Sequence, residues 1–284
     1  MHLLNVDELS SIQIEEIFDL TRRLREHNSQ RLLQGKNFIL FFPESSLRTR
    51  ITFEKGIKDL GGECIVFSPE TLDRREALVD TIKYIENWAD GIVVRHSDFA
   101  KIKEMAKHST IPIVNAMTSV NHPCEILADL YSISEARSNY RDLVYTFVGP
   151  AGNISRSWTD VAKVMNLNFN HVSSAGNEIT EQSHNYRFHT ELEEVLKYSD
   201  VVLTDSLPNP FRTDEYIRKY QITLERMMLT KRNSMLNPCP PFFRNEEVSE
   251  DVICSDYFVG HSFKKNLVHV HQAILLYCLS NYIS

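Results

Sequence analysis

Short apolar runs alternate with amphipathic helical patterns along the first half of the chain, and this alternation restricts the fold more than any other feature. The apolar runs predict buried strands at residues 38–41, 64–67, 91–94 and 111–114. The patterns that precede and separate them predict helices over residues 10–27, 47–60, 76–88 and 99–108. Parallel strands need a crossover connection, which a helix provides. We therefore expect a parallel sheet with helices on both of its faces.

The second half of the chain repeats this logic. Its apolar runs predict strands at residues 143–148, 168–172, 201–204 and 234–236. Its helices are expected to begin near Asn153, His189, Asp214 and Glu246. A polar stretch over residues 132–142 follows a helix that begins at His122, so we expect this helix to bridge two domains.

The predicted fold class is therefore α/β, with two doubly wound parallel-sheet domains. They comprise residues 1–132 and 133–264, and residues 265–284 are expected to form a C-terminal helix. Doubly wound sheets bind their ligands at the carboxyl ends of the strands. We expect these ends to face each other, with the substrate site in the cleft between the domains.

The composition excludes several classes of protein. The chain has 284 residues, of which 42% are apolar and 24% charged, as in ordinary globular proteins. Its formal net charge of −7 gives no reason to expect nucleic acid or an anionic membrane as a partner. No apolar run approaches the roughly 20 residues of a transmembrane helix, and the first residues show no signal-peptide pattern. Five scattered cysteines without CxxC spacing predict free thiols in a cytoplasmic protein.

Two hydroxyl and two guanidinium side chains follow the first predicted strand. Ser46, Arg48, Thr49 and Arg50 lie at the start of the helix predicted over residues 47–60. Free backbone N–H groups and the positive end of the helix dipole point to the same place. The pattern predicts an anion site whose spacing suits phosphate. The alternative is that Ser46 only caps the helix and the arginines are solvated.

Four segments together resemble the aspartate/ornithine carbamoyltransferase family. The first is Ser-Leu-Arg-Thr-Arg at residues 46–50, followed by an apolar residue, a small residue, Phe and Glu. Val-Arg-His at residues 94–96, His-Pro-Cys-Glu-Ile-Leu-Ala-Asp at residues 122–129 and Asn-Pro-Cys-Pro at residues 237–240 follow in the family's order and at its spacing. The resemblance runs from the first strand to the last helix and is closer to the ornithine type.

The resemblance implies transfer of the carbamoyl group from carbamoyl phosphate to an amino acid, with ornithine giving citrulline and phosphate in arginine metabolism. It implies no metal and no organic cofactor. The implied catalytic residues are Arg95, His122 and Cys239. The implied carbamoyl-phosphate ligands are Ser46, Leu47, Arg48, Thr49, Arg74, Arg95, His122, Glu125 and Pro240. The implied amino-acid ligands are Asn153, Asp205, Asn209 and Cys239.

Two of these side chains have a clear chemical role in such a reaction. Arg95 ends a predicted strand and is expected to bridge the phosphate and the carbonyl oxygen. His122 opens the bridging helix, where a neutral imidazole donates a hydrogen bond to the carbonyl oxygen. Taken singly, Arg95 also suits a surface ion pair and His122 a helix cap. Their convergence on one sheet edge with the residue 46–50 segment favours the functional interpretation.

The second substrate is expected to be a cationic amino acid rather than aspartate. Asp205 follows the strand at residues 201–204, where a carboxylate repels aspartate and attracts an ammonium group. Asn153, at another strand end, suits the α-carboxylate or α-amine of the acceptor. Two prolines stiffen the segment after Asp205, so putrescine, an acylated ornithine or a shorter diamino acid remains an alternative acceptor, as does aspartate. Asp205 also suits a helix cap or a surface loop.

The resemblance makes three further structural predictions. Arg74 matches a loop residue that reaches into a neighbouring subunit's site, which implies a homotrimer with shared active sites. The alternative is that Arg74 is solvated beside Asp73 and Glu76. The peptide between Cys239 and Pro240 is expected to be cis, although the tandem prolines leave the neighbouring X-Pro bonds as alternatives. The C-terminal helix is expected to return to the first domain.

Two other functions remain open from the sequence. Glu125, Asn237 and Leu267 stand where the family usually has Gln, His and Arg, and Ser-Met-Gly is missing after Asp205. These departures suit a family member that has lost catalysis and acts as a binding or regulatory protein. A turn at residues 149–153 suggests a dinucleotide-binding oxidoreductase, but it lacks GxGxxG and the acidic residue that this fingerprint requires.

Overall fold

The computed structural model describes residues 1–26 and 31–283, with side chains through residue 280. The strands are β1 (Asn37–Phe41), β2 (Glu63–Phe67), β3 (Gly91–Arg95), β4 (Ile113–Met117), β5 (Val144–Val148), β6 (Asn168–Val172), β7 (Arg187–His189), β8 (Val201–Thr204) and β9 (Met235–Pro238). The helices are α1 (Ser11–Glu26), α2 (Leu47–Asp59), α3 (Leu78–Ile85), α4 (Phe99–His108), α5 (Pro123–Ala136), α6 (Asn153–Met165), α7 (Leu192–Leu196), α8 (Asp214–Tyr220), α9 (Leu224–Met227), α10 (Glu250–Ile253), α11 (Gly260–Phe263) and α12 (Leu267–Ile283).

The chain divides into two compact units. The first comprises Met1–Ser132 and Lys265–Ser284, and the second comprises Ile133–Lys264. Each unit contains one sheet, and every strand pair in both sheets is parallel. The predicted α/β class with two parallel sheets is therefore confirmed.

The first sheet has the strand order β2-β1-β3-β4. Strands β1 and β3 are buried along almost their whole length, because helices cover both faces of a parallel sheet. Strand β2 lies at the edge and exposes every second side chain, including Ile65 and Phe67. The chain proceeds in opposite directions from β1, first to β2 and then to β3. The carboxyl ends of β1 and β3 therefore form the topological switch point of this sheet.

The C-terminal helix α12 belongs to the first unit and contacts α1 and α2. Its contact with α2 is close at Gly56, where an added Cβ would lie 3.1 Å from Cγ of Gln272. Gln272 also donates a hydrogen bond from Nε2 to the Gly56 carbonyl oxygen at 3.0 Å. A larger residue than glycine at this position would push the two helices apart.

The second sheet has the strand order β7-β6-β5-β8-β9. The chain again proceeds in opposite directions from a central pair, so the carboxyl ends of β5 and β8 form the switch point. One face of this sheet packs on a core that includes Val148, Val202 and Leu236 together with the aromatic rings of Tyr216 and Tyr220. Each unit thus has one topological switch point, at the carboxyl ends of two neighbouring strands.

Several predicted element boundaries are wrong, each for a local physical reason. Residues 187–189 form the edge strand β7 rather than leading into a helix at His189, because the His189 ring bonds to Asn170 on β6 at 3.1 Å. The next helix begins at Leu192 instead. Strand β4 starts at Ile113 rather than residue 111, since Pro112 has no N–H for the sheet. Strand β9 runs on to Pro238 rather than ending at residue 236.

Three predicted helices also differ in their bounds from the observed ones. The helix expected over residues 76–88 is confined to Leu78–Ile85. The helix expected near Glu246 begins at Glu250, because Glu247 accepts the Phe243 N–H and closes a loop before it. The helix expected over residues 10–27 is observed as Ser11–Glu26, and His27 lies outside the described residues.

Candidate active site

Arg95 lies at the carboxyl end of β3, at the switch point of the first sheet. The pairing register between β3 and β4 shifts between Val94 and Arg95, so that Arg95 pairs with Met117 while Val94 pairs with Asn115. Such irregularities redirect the side chain at a strand end. The Arg95 guanidinium donates a hydrogen bond from Nη1 to Oγ of Ser46 at 3.1 Å. This contact joins the end of β3 to the segment that follows β1.

Ser46 precedes helix α2, but its hydroxyl does not cap the helix by a hydrogen bond. The side chain is buried and instead accepts the Arg95 hydrogen bond. Thr49, one turn into the helix, is also buried. Leu47 is exposed, and its N–H donates to the Ser45 carbonyl oxygen at 3.0 Å. The arrangement directs a hydroxyl, a guanidinium and the positive end of α2 to one place, which suits a phosphate group.

The two remaining arginines of this segment differ in their contacts. Arg50 forms an ion pair with Glu54 one helical turn later, with 2.6 Å between Nε and Oε1. Arg48 is exposed, and among the described residues its guanidinium has no hydrogen-bond or ion-pair partner. Arg48 is therefore available to an anionic ligand, whereas Arg50 is held on the helix surface.

A polar turn that the sequence analysis missed holds the entry to α5. Asn121 Oδ1 accepts hydrogen bonds from Asn115 Nδ2 at 2.8 Å and from Thr118 Oγ1 at 2.7 Å. The Thr118 N–H donates to the Asn121 carbonyl oxygen at 2.8 Å. The turn connects the carboxyl end of β4 to the buried His122, which directly precedes α5. Polar residues six positions apart were the available signal, but polar loops of this kind are common.

Two buried ionisable side chains accompany His122. Glu125 lies in the first turn of α5 and is buried. His271 on α12 is fully buried and stacks on Phe53 of α2 with 4.0 Å between ring centres. Burial lowers the pKa of His271 to about 3, and the nearby Glu125 opposes this shift while His122 adds to it. His271 is therefore neutral in the fold.

The segment before Arg74 is fixed by a second ion pair. Asp73 accepts a hydrogen bond from Lys101, which lowers the pKa of Asp73, and its Oδ1 lies 3.2 Å from Nε2 of His96. His96 Nδ1 accepts the Asp98 N–H at 3.0 Å, so Nε2 carries the ring hydrogen and donates to Asp73. Arg74 follows at the exposed end of this short 3-10 segment. Within the described part of the chain its guanidinium has no hydrogen-bond or ion-pair partner.

A cavity of about 350 Å³ lies beside Arg95 in the first unit. It is lined by Pro43, Pro69, Glu70, Asp73, Arg95, His96, Ser97, Met117, Thr118 and Ser119. These residues end or follow β1, β2, β3 and β4, so the cavity lies at the carboxyl edge of the sheet.

Three predicted site residues of the second unit lie near the carboxyl ends of the strands of its sheet. Asn153 is the first residue of α6, after the turn that follows β5, and Gly152 rather than Asn153 is the cap residue. Asp205 follows β8 and accepts the Ser206 N–H at 2.8 Å. Cys239 follows β9 and is buried, and its N–H donates to the Thr204 carbonyl oxygen at 2.8 Å. Asp205 and Cys239 are thus brought to adjoining strand ends.

The loop after Cys239 differs from the prediction in the position of its cis peptide bond. The peptide between Cys239 and Pro240 is not cis, and the cis bond is the next one, between Pro240 and Pro241. The expected position was wrong by one residue, and the bond before Pro241, which was one of the alternatives, is the cis one. The low cost of cis is shared by every X-Pro bond, so the sequence does not distinguish these neighbouring bonds. Asn209 begins a short 3-10 helix and is exposed.

One acidic residue near this edge was not predicted as a site residue. Glu247 is only 2% exposed. Burial, together with the charges of Glu246 and Asp205, raises the pKa of Glu247 to about 7, although the hydrogen bond from the Phe243 N–H lowers it. From sequence, the only available signal was the pair of adjacent glutamates at residues 246–247, which resembles any solvated acidic loop.

The departures from the family pattern have clear structural settings. Leu267, where relatives carry Arg, is a buried residue at the start of α12. Asn237 lies within β9 and is buried, and neither its side-chain nitrogen nor its oxygen has a hydrogen-bond partner among the described residues. Neither position carries a cationic side chain.

Among the residues described, no group of three or more His, Cys, Asp and Glu side chains is arranged to hold a metal ion. None of the helices in the described ranges combines the length and the apolar character needed to cross a bilayer.

Comparison with known proteins covers nearly the whole chain. The family model "Aspartate/ornithine carbamoyltransferase, carbamoyl-P binding domain" matches residues 1–135, and "Aspartate/ornithine carbamoyltransferase, Asp/Orn binding domain" matches residues 141–278. The ornithine carbamoyltransferase of Caldicellulosiruptor saccharolyticus is 30% identical over 98% of this chain and 98% of its own length. That of Nitrobacter winogradskyi is 28% identical over 98% and 97%, respectively. The crystal structure of ornithine carbamoyltransferase from Burkholderia thailandensis superposes with a TM-score of 0.89, at 26% identity and 98% coverage of both chains.

Proposed function

The chain belongs to the aspartate/ornithine carbamoyltransferase family, and from this premise we propose that it transfers the carbamoyl group of carbamoyl phosphate to the side-chain amine of ornithine. The products are citrulline and phosphate. The observation that carries the proposal is the hydrogen bond between Arg95 and Ser46 at the start of α2. It assembles a phosphate-binding group of donors at the switch point of a doubly wound sheet.

The reaction needs little covalent chemistry from the protein. The uncharged amine nitrogen attacks the carbamoyl carbon, and the bond from that carbon to the phosphate oxygen breaks. The proton that the amine loses ends on the departing phosphate. The protein must hold the phosphate, stabilise negative charge on the carbonyl oxygen and orient the amine. We assign phosphate binding to Ser46, Arg48 and Thr49, and the carbonyl oxygen to Arg95 and His122.

Four residues complete the assignment of carbamoyl-phosphate ligands. We assign Leu47 a backbone role at the start of α2, and Arg74 a role in binding the phosphate. Glu125 accepts from the carbamoyl NH2, as the family's Gln would. The turn at Pro240 presents a backbone carbonyl to the same NH2. We assign Arg95, His122 and Cys239 as the catalytic residues, and Asn153, Asp205, Asn209 and Cys239 as ligands of the amino acid.

The choice of ornithine over aspartate depends on charge. Asp205 and the nearby Glu246 and Glu247 make the carboxyl edge of β8 acidic. A site of this charge repels the second carboxylate of aspartate and attracts an ammonium group. The relatives named above are ornithine carbamoyltransferases, which supports the same choice.

The proposed domain roles follow the chain division. Residues 1–132 bind carbamoyl phosphate, residues 133–264 bind the amino acid, and residues 265–284 form the helix that completes the first domain. The family models that match residues 1–135 and 141–278 support these roles. All five cysteines are free thiols, which supports a reducing compartment such as the cytoplasm.

Incubation with carbamoyl phosphate labelled in its carbonyl carbon tests the activity. The acceptors are ornithine, aspartate, putrescine, N-acetylornithine and 2,4-diaminobutyrate, and the ureido products are separated by chromatography. We expect label in citrulline and equal release of phosphate. Better turnover with aspartate contradicts the acceptor assignment. Absence of turnover with every acceptor, together with retained binding of carbamoyl phosphate, favours a binding or regulatory protein.

We further propose that the active protein is a homotrimer in which Arg74 enters the site of a neighbouring subunit. The exposed Arg74 lies on a segment held in place by the Asp73–Lys101 ion pair. The first unit also exposes apolar side chains on α2 and on the edge strand β2, including Leu47, Ile51, Ile65 and Phe67. Exposed apolar groups of this size support burial against a second copy.

Hybrid oligomers test the shared site. Arg74→Ala and Arg95→Ala subunits, each inactive alone, are mixed after mild dissociation, and light scattering checks the assembled mass. Shared sites recover activity in the hybrids, because one site of each mixed trimer contains neither substitution. A fully active monomer, or hybrids without recovery, contradicts the trimer proposal.

A further inference from the structure

His96 connects two segments of the first unit that each carry an arginine of the candidate site. It directly follows Arg95 in the chain, and its ring contacts Asp73, which directly precedes Arg74. The two neighbouring side chains contact different parts of the unit. Arg95 contacts Ser46, the residue before α2, whereas His96 contacts the segment after β2. A hydrogen bond with one peptide bond on each side of it therefore joins Arg95 to Arg74.

The His96 ring is fixed at both of its nitrogen atoms. Nδ1 accepts the Asp98 N–H at 3.0 Å, and Nε2 lies 3.2 Å from Oδ1 of Asp73. His96 is only 9% exposed, and its backbone N–H donates to the Met117 carbonyl oxygen of β4 at 3.1 Å. The ring therefore belongs to the end of the sheet, and its free N–H holds the segment that contains Asp73.

The chain leaves the body of the first unit directly after Asp73. The preceding Leu72 is buried, and its carbonyl oxygen accepts a hydrogen bond from Nζ of Lys101 at 3.3 Å. Residues 73–77 are all exposed, and α3 begins only at Leu78. The contacts of Asp73 with His96 and Lys101 therefore determine the point from which Arg74 extends.

We propose that His96 is a positioning residue, which orients the Arg74 segment of its own subunit towards the carbamoyl-phosphate site of a neighbouring subunit. This inference rests on the proposed function, including its shared site. One strand end then serves two sites. Arg95 acts in the site of its own subunit, and His96 acts in the neighbouring site through Asp73 and Arg74. A site residue needs such support because its geometry depends on the groups that hold it.

Four variants separate the hydrogen bond from the fold. His96→Asn keeps an oxygen near the position of Nδ1 for the Asp98 N–H but loses the donor to Asp73, whereas His96→Gln places an amide N–H near the position of Nε2. Asp73→Ala removes the other partner at an exposed position, where the fold does not depend on burial. Glu104→Ala is the control, because it removes an exposed carboxylate from α4, the helix that carries Lys101.

Calorimetric titration of carbamoyl phosphate into the assembled protein measures the effect without an acceptor. We expect His96→Asn and Asp73→Ala each to weaken binding by about fivefold or more, the effect of losing a hydrogen bond of ordinary net strength. His96→Gln should recover most of this loss, and Glu104→Ala should bind as the wild type does. In steady-state kinetics, His96→Asn should raise the KM for carbamoyl phosphate and leave kcat and the KM for ornithine unchanged. Unchanged affinity in His96→Asn and Asp73→Ala, together with weakened binding in Arg74→Ala, overturns this inference alone.

Hybrid trimers test whether His96 acts in the neighbouring site. His96→Asn subunits are mixed with an excess of Arg95→Ala subunits, which are inactive but keep His96. One site of each mixed trimer combines Arg95 of the first subunit with the Arg74 segment of the second and contains neither substitution. We expect this site to have the wild-type KM for carbamoyl phosphate. A KM that stays at the value of the His96→Asn trimer places the effect within one subunit and overturns the inference.

The outcomes distinguish this inference from the proposed function. The expected losses of carbamoyl-phosphate binding, without turnover of any acceptor, support the role of His96 and overturn the proposed function. Unchanged binding of carbamoyl phosphate in Arg74→Ala overturns the shared site and this inference together.

Discussion

The two switch points of this molecule have the same topology and opposite charge. In the first unit, the ends of β1 and β3 present the guanidinium of Arg95, the hydroxyl of Ser46 and the start of α2. In the second unit, Asp205 follows β8, and the buried Glu247, in the loop before α10, lines a small pocket beside the ends of β5 and β8. The parallel-sheet architecture determines where a ligand binds, and the side chains that follow each strand determine which charge it must carry. The same architecture thus carries basic groups at one edge and acidic groups at the other.

The two units also contain fully buried histidines with contrasting surroundings. In the second unit, His171 donates from Nε2 to the Gly149 carbonyl oxygen at 2.8 Å and accepts at Nδ1 from the Tyr186 hydroxyl at 3.0 Å. In the first unit, neither ring nitrogen of His271 has a partner among the described residues. His171 therefore supports the turn at the switch point by hydrogen bonds, whereas His271 contributes through its stacking on Phe53.

The largest expected effect comes from removing the guanidinium of the anionic-ligand site. Arg95→Ala should lower kcat/KM for carbamoyl phosphate by about 10²–10³-fold, because it removes a donor to the developing negative charge and the partner of Ser46. Arg95→Lys should recover only part of this loss, since an ammonium lacks the planar fork of donors. Steady-state kinetics with saturating ornithine measure both variants. An Arg95→Ala enzyme with wild-type kcat/KM would contradict the assignment of an anion site to the first switch point.

The next effect concerns the acidic edge. Asp205→Asn should raise the KM for ornithine by about 10–100-fold, the range expected for a lost hydrogen bond to a charged group. The KM for carbamoyl phosphate should stay within about twofold, because the two ligands use oppositely charged edges. Asp214→Asn, at the exposed start of α8, is the control. Unchanged ornithine kinetics in Asp205→Asn would mean that Asp205 is a loop residue without a role in binding ornithine.

The smallest expected effects are the changes in unfolding free energy when each of the two buried histidines is replaced by leucine. His171→Leu should cost about 1–3 kcal/mol of unfolding free energy, since it leaves the Gly149 oxygen and the Tyr186 hydroxyl buried without their partner. His271→Leu should cost about 1 kcal/mol or less, because it removes no hydrogen bond made with the described residues. Urea unfolding followed by circular dichroism measures both. Equal costs would show that the hydrogen bonds of His171 do not account for its contribution.

The stability of the fold should fall at acidic pH because His171 is buried as a neutral ring. Burial lowers the pKa of His171 from 6.5 to about 4, so the ring is neutral in the fold while the unfolded chain takes up a proton below pH 6.5. The stability that depends on a neutral ring is complete above pH 6.5 and is lost as pH falls towards 4, by at most about 1.4 kcal/mol per pH unit. The cost of His171→Leu should therefore shrink between pH 7 and pH 5. A cost that does not change with pH contradicts this assignment.

Much of the fold could be predicted because its elements have strong apolar periodicity. Strands β6 and β8 and helix α4 lie at the predicted residues. Strand β7 could not be predicted in this way, since Arg187–His189 is only three residues long and is defined by its pairing with β6. The position of the cis peptide could not be fixed from the sequence, because two consecutive prolines give two X-Pro bonds at which cis is inexpensive.

The candidate site was only partly predictable for a related reason. The motif at residues 46–50 and the strand end at Arg95 could be placed at one sheet edge from topology, and the structure brings Ser46 and Arg95 into contact. Their roles towards a ligand stay predictions. The register shift at Arg95, the turn built by Asn115 and Asn121, and the buried Glu247 depend on side-chain contacts and burial that no local pattern encodes.

The central claim is that the basic switch point of the first unit binds carbamoyl phosphate independently of the acidic one. Calorimetric titration of carbamoyl phosphate into the wild type, Arg48→Ala, Arg50→Ala and Asp205→Asn tests it most directly. The account predicts a loss of about 2–5 kcal/mol of binding free energy for Arg48→Ala. It predicts about 1 kcal/mol or less for Arg50→Ala, whose side chain is paired with Glu54, and for Asp205→Asn. Unchanged affinity in Arg48→Ala, or an equal loss in Asp205→Asn, would contradict it.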